Sequence, residues 1–269
     1  MRIYRFELRY LRGSMAGWSV AICCFLGVYL GMYPLFREDG STVAELFAKF
    51  PETLRSLYGM DHLDLSSVRG FLPFPMKLIQ ELLAIGGFML GVRCAAHDTR
   101  AKCADFLYAL PVSRAGIFGA KAAAVFTLGG VFFAVTALGT GLMSALVAPG
   151  ELPARNLLAS AAVCALLFCL YGAAGLLAGA RFPKLRGTAA IGVASMFFFH
   201  IVFSLCKVVT RDAGSLAARL LVPVFLFDRE LAAERGIIEP PFLLLWCAEA
   251  ALLLFLAGRT LRRRDVVSG

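Results

Sequence analysis

Charge is what this chain has least of. Only 17% of its 269 residues are Asp, Glu, Lys or Arg, against roughly a quarter in soluble domains, and so thin a supply does not cover a water-exposed globular surface. Motifs for chemistry are missing too. No G-x-x-x-x-G-K-[ST] occurs; the nearest run, Gly116 to Lys121, has the wrong spacing and leads into an apolar stretch, which excludes ATP binding through a P-loop. Neither H-E-x-x-H nor G-x-S-x-G is present, which excludes metalloproteases and serine hydrolases of those patterns. The eight cysteines imply no disulfide framework: Cys23, Cys24, Cys164, Cys169, Cys206 and Cys247 lie in or at the ends of apolar runs, and Cys94 and Cys103 flank a polar connection. Cys94, His97 and Cys103 read C-x2-H-x5-C, three ligands at a spacing that fits no standard zinc site. No metal or cofactor is assigned to the chain.

Hydrocarbon is what the sequence has in excess. With 59% hydrophobic residues and a mean hydropathy of +0.77, the chain belongs in a bilayer. Asp, Glu, Lys and Arg are absent between Arg12 and Arg37, Glu81 and Arg93, Lys121 and Glu151, Arg155 and Arg181, and Arg186 and Lys207; a bilayer core needs about 20 apolar residues per helix. The fold expected is an all-α integral membrane protein with six transmembrane helices in one domain, 1–269. The spans fall at 15–36, 74–92, 117–147, 157–180, 187–206 and 240–258. The second carries Lys77 and Glu81, and the sixth has Glu249 at its midpoint.

Loop charges give the orientation. With the N-terminus inside, the inner segments hold 16 Lys/Arg against Glu7, Asp98, Asp105 and Asp265, whereas the outer segments hold 10 against 12 acidic residues. Both termini are expected in the cytosol, and the formal charge of +9 is a topology signal rather than a reason to expect nucleic acid. The first apolar run, about 24 residues ending in GMYPLF without a small-x-small cleavage site, is expected to stay in the protein as a span.

The ends and loops add detail. Arg2, Arg5, Arg9 and Arg12 share one helical face, with Ile3, Phe6, Tyr10 and Leu11 around the other, so 1–14 reads as an interfacial helix on the inner leaflet. Glu7 falls amid the apolar face, which points either to a locally paired side chain or to a protein partner. The outer loop 37–73 contains one or two short helices around Pro51, and the outer loop 207–239 contains LLVPVFLF, too short to span and tolerable in the membrane only under protein cover. Lys77 and Glu81 are four residues apart and neutralise one another on one face. Glu249, without a partner in its own span, faces the pathway or a dimer interface, near Lys77, or forms a structural pair between spans two and six. His200 reads as a hydrogen-bonded packing residue. Gly87-x3-Gly91 and Gly175-x3-Gly179 allow close helix contact.

The inner connection after span two is the most informative. Asp98 is spaced to pair with Lys102, and Cys103, Phe106, Leu107 and Leu110 make one stripe at helical period. A helix over 98–110 is expected, ended by Pro111, with Ser113 capping the next span and Arg114 at its inner end. The run HDTRAKCADFLYALPVSRAGIFGAK, through Asp98, Lys102, Asp105, Phe106, Leu107, Pro111, Val112, Ser113, Arg114 and Lys121, resembles the cytoplasmic loop of bacterial ABC-2 type transporter permeases. FPETLRSLYGMDHLDLSSVRGFL is similar to that family's first outer loop, and RTLRRRDVVSG to its basic tail. The chain departs from the family at His97 to Arg100, where several glutamates are usual, and at Cys103, where Thr is usual.

The resemblance implies a permease half in the bacterial cytoplasmic membrane. Two such halves, copies or paralogues, form an export pathway; cytosolic subunits carrying ATP and magnesium dock on the 98–110 coupling helix. Asp98, Lys102, Asp105, Phe106, Leu107, Leu110, Pro111, Ser113 and Arg114 are then the docking and coupling residues. Two other classes stay open: a non-transporting membrane partner that recruits or regulates a cytosolic ATPase, and a membrane-embedded enzyme, for which Glu81, Glu249 and His200 are the available acid–base groups.

Overall fold

A computed structural model describes residues 2–38, 49, 67–103, 107, 111–210, 219, 222, 226–227 and 231–263. Every regular element among them is helical: α1 Arg2–Gly31, α2 Tyr33–Glu38, α3 Val68–Phe71, α4 Pro73–Arg100, α5 Arg114–Val147, α6 Ala154–Arg181, α7 Thr188–Thr210, a π-helical turn Leu231–Arg235, and α8 Pro240–Arg263. Prolines stand where a missing N–H costs nothing: Pro73 opens α4, Pro153 precedes α6, and Pro240 opens α8. Five helical stretches are long and apolar enough to cross a membrane: Arg2–Glu38, Val68–Arg100, Arg114–Val147, Ala154–Arg181 and Pro240–Arg262. The remaining expected span, 187–206, corresponds to α7, whose apolar described part, Thr188–Phe203, is shorter.

α4 and α6 form the most extensive helix pair, and glycine is the reason. A Cβ on Gly91 would lie 2.3 Å from the carbonyl oxygen of Gly172; on Gly175, 2.3 Å from that of Phe88; on Gly87, 2.4 Å from that of Phe168. The two backbones touch over three helical turns, as small-x3-small patterns allow. α5 packs on α6, where Phe132 meets Phe168 edge-on at 4.9 Å between ring centroids. α1 lies on α5, α8 on α6, and α7 on α4.

Two expectations need correction. Residues 1–14 are not set off as a helix of their own, because α1 runs unbroken from Arg2 to Gly31; Glu7 and Leu11 are fully buried against protein, whereas Phe6 is exposed. The helix expected over 98–110 does not start at Asp98 either. α4 continues through Arg100 with Ala101 as its C-cap, and Lys102 turns the chain out of the helix at a φ of 54°, so the Asp98–Lys102 pair is not formed. Asp105, Phe106 and Leu110 lie outside the described residues, as do 39–48 and 50–66 of the first outer loop and most of LLVPVFLF. Of that last segment Val222 and Leu226 are fully buried and Phe227 nearly so, packed against α6, α7 and α8 side chains such as Tyr171, Met196 and Phe242.

The glycine seam predicts a sharp contrast. Gly91→Ala pushes a methyl group into the α6 backbone and is expected to cost about 3 kcal/mol. Gly130→Ala, where nothing lies within 4 Å of the new Cβ, is expected to be neutral or slightly stabilising. Thermal unfolding of the two purified variants in detergent checks this.

Candidate functional site

Arg93, Arg100, Arg114 and Lys121, which flank the connection between α4 and α5, each engage another part of the fold. Lys121, on the second turn of α5, is 1% exposed. Its ammonium donates to Glu7 Oε1 of α1 at 2.5 Å and to the Cys94 carbonyl of α4 at 2.8 Å, and forms an ion pair with Asp98 Oδ2 of α4 at 2.9 Å. Glu7 and Asp98 are buried with it. The Cys94 thiol lies 3.5 Å from Glu7 Oε2, completing a sealed ionic cluster.

A half-exposed shell surrounds that cluster. His97 sits 3.6 Å from Asp98 and packs its ring on Tyr10 at 3.9 Å between centroids. Arg93 donates to the Tyr10 hydroxyl at 3.1 Å and to Ser14 Oγ at 2.6 Å, and the Tyr4 hydroxyl lies 2.9 Å from Thr127 Oγ1 of α5. The first helix is thereby fixed to both α4 and α5.

The ends of the connection are held as firmly. Arg100, the last residue of α4, donates to the carbonyls of Pro183 at 2.9 Å and Leu185 at 2.7 Å, gripping the turn between α6 and α7. Ser113 caps α5 by accepting from the Gly116 N–H at 3.1 Å, and Arg114 donates to the Arg262 carbonyl of α8 at 2.8 Å. Between these anchors Lys102, Pro111 and Val112 are exposed, and the described Leu107 donates its N–H to the Cys103 carbonyl at 3.1 Å in a helical turn. Of the site residues read from sequence, Asp98 is therefore inside the junction, Arg114 at its rim, and Lys102, Leu107 and Pro111 on the connection.

A match to a protein-family model bears on this arrangement. Residues 4–212 match the family described as the C-terminal domain of the multidrug efflux system permease Rv1217c. The chain belongs to that family. The matched span takes in α1 to α7, and with them the junction and both of its Arg anchors. A comparison with curated proteins returned no match.

The permease also places its intramembrane charges. Glu81 of α4 pairs with His200 of α7 at 3.1 Å, and the other ring nitrogen of His200 lies 2.9 Å from the Met196 carbonyl; the partner of Glu81 is thus on another helix, whatever Lys77 contributes from the same one. Lys77 is buried. Glu249 forms no pair with Lys77 among the described residues, because α8 packs chiefly on α6 and α5 rather than on α4. Its Oε2 is buried and has no hydrogen-bond partner among the described residues, one turn from Trp246, which donates to the Leu166 carbonyl at 2.9 Å. Cys94 and Cys103 turn to different acceptors, Glu7 and the Asp98 carbonyl.

Sequence reading flagged Glu7 but left its partner open, and it missed Arg93 and Arg100. The usable signal was Lys121, a lone cation standing within the apolar start of a span opposite two isolated carboxylates. Lys121→Met strands Glu7 and Asp98 in the interior and is expected to cost about 3–5 kcal/mol. Adding Glu7→Gln to it is expected to recover part of that loss, giving a coupling energy of about 1 kcal/mol or more. Unfolding of the two single variants and the double variant measures it.

Proposed function

We propose that the chain is one permease half of an ATP-driven multidrug exporter of the ABC-2 type, spanning the bacterial cytoplasmic membrane six times with both termini in the cytosol. A second copy or a paralogue completes the pathway, and a separate cytosolic subunit binds and hydrolyses ATP. The observation that carries this reading is the anchoring of the α4–α5 connection. Arg100 at its exit and Arg114 at its entry hold the α6–α7 turn and α8, and Lys121 holds α1. A force applied to residues 101–113 therefore reaches every long helix at that end of the bundle.

Such an arrangement suits an energy input from outside the chain. The stretch 102–112, exposed at Lys102, Pro111 and Val112, carries Phe106, Leu107 and Leu110 at helical spacing as a docking stripe, with Asp105 and Lys102 at its margin; Pro111 and the Ser113 cap make a stiff corner into α5. The excess of Arg at this same end, from Arg2 to Arg12 and from Arg259 to Arg263, supports the cytosolic assignment. In this reading Glu249, a carboxyl group at mid-span of α8, belongs to the pathway, where an intramembrane charge is functional by default.

Phe106→Asp and Leu107→Asp each place a charge in the stripe without touching a span. Both variants are expected to reach the membrane at the parent level and to lose the ATP-binding subunit on affinity purification. Normal association in both would contradict the proposal.

A further inference from the structure

α5 begins and α8 ends beside one another, and they leave an open groove between them of about 310 Å³, lined by Phe118, Leu254, Phe255, Gly258, Arg259 and Arg262. The groove is built rather than incidental. Arg114 fixes the last turn of α8 against the first residue of α5 through the Arg262 carbonyl. A Cβ on Gly258 would come within 3.2 Å of the Phe118 ring, so this glycine lets α8 approach the aromatic wall.

Its two halves differ in chemistry. Phe118, Leu254 and Phe255 form an apolar wall, with Phe255 64% exposed inside the candidate span Pro240–Arg262. Arg259 and Arg262 stand where that apolar stretch stops, and no acidic side chain among the described residues pairs with either guanidinium. An acidic group on a water-soluble partner would answer the arginines and leave the apolar wall uncovered. A molecule with an anionic head and a hydrocarbon tail answers both.

We propose that this groove is a binding site for an anionic phospholipid. The head-group phosphate lies between Arg259 and Arg262, and an acyl chain runs along Leu254, Phe255 and Phe118. Arginine stems snorkel along apolar surface while their heads stay at the interface, and basic pockets between membrane helices on the inner side suit anionic head groups. Each interfacial arginine contributes on the order of fivefold to the association of anionic lipid. The occupied groove would brace the α5–α8 seam beside the Arg114 anchor.

Native mass spectrometry of the purified full chain tests the site, with phosphatidylglycerol and phosphatidylcholine of identical chains offered in equal amounts. The parent is expected to retain phosphatidylglycerol with a preference of roughly 25-fold. Arg259→Gln combined with Arg262→Gln is expected to abolish that preference. Phe255→Ala, which keeps both charges and alters an exposed position, is expected to weaken phosphatidylglycerol retention severalfold. Arg186→Gln, an exposed arginine at the same end of the bundle but outside the groove, is expected to change nothing. Glycerol phosphate, a head group without chains, is expected not to compete. The proposal is overturned if the double variant keeps the preference, if Arg186→Gln removes it equally, if Phe255→Ala has no effect, or if glycerol phosphate displaces the lipid. The first outcome, accompanied by loss of a co-purifying acidic protein, would assign the arginines to a protein partner instead.

Discussion

One buried ammonium group organises the end of the bundle on which the proposed function depends. Lys121 is taken out of water, an expense that only a complete set of partners offsets, and its ammonium draws those partners from two other helices. Glu7 arrives on the first helix and Asp98 and Cys94 on the fourth. Because Glu7 and Asp98 are buried beside the cation they face, loss of that cation strands both. The local positions of α1, α4 and α5 are thereby coupled to one another.

The glycine seam complements this junction. α4 and α6 are in backbone contact through Gly87, Gly91 and Gly175, a surface with no side chains to rearrange, and it fixes α6 to the helix that carries Asp98. Rigid packing along the seam and ionic closure at its end tie both ends of the 101–113 connection to a braced frame. A device that converts motion outside the membrane into motion within it needs such a frame, since a handle attached to one helix alone would bend that helix and move little else.

Much of this was legible in the chain where the cause is local. Charge-free intervals marked long apolar helices, five of them long and apolar enough to cross a membrane, because a bilayer imposes a length and a composition on every helix crossing it. Ser113 was readable as a cap because its partner is three residues away. Gly87 and Gly91 announced a close contact without saying against which helix. What sequence spacing did not reveal were pairings across the fold: Glu7 with Lys121, Glu81 with His200, Arg100 with the Pro183 and Leu185 carbonyls. The same blindness explains the misreading of residues 1–14. Four arginines on one face fit a helix resting on lipid, and only the position of α4 and α5 shows that Glu7 and Leu11 are covered by protein. Asp98 was misassigned for a related reason, since an acceptable partner four residues on concealed a better one on another helix.

Paired nitroxide labels at Arg5 on α1 and Ala115 on α5, both exposed positions, test the junction most directly, through the distance distribution between them in lipid vesicles. The account predicts a narrow distribution in the parent and a broad one in Lys121→Met, because loss of the cation strands Glu7 of α1 against Asp98 of α4 inside the bundle. An unchanged narrow distribution in Lys121→Met would contradict it.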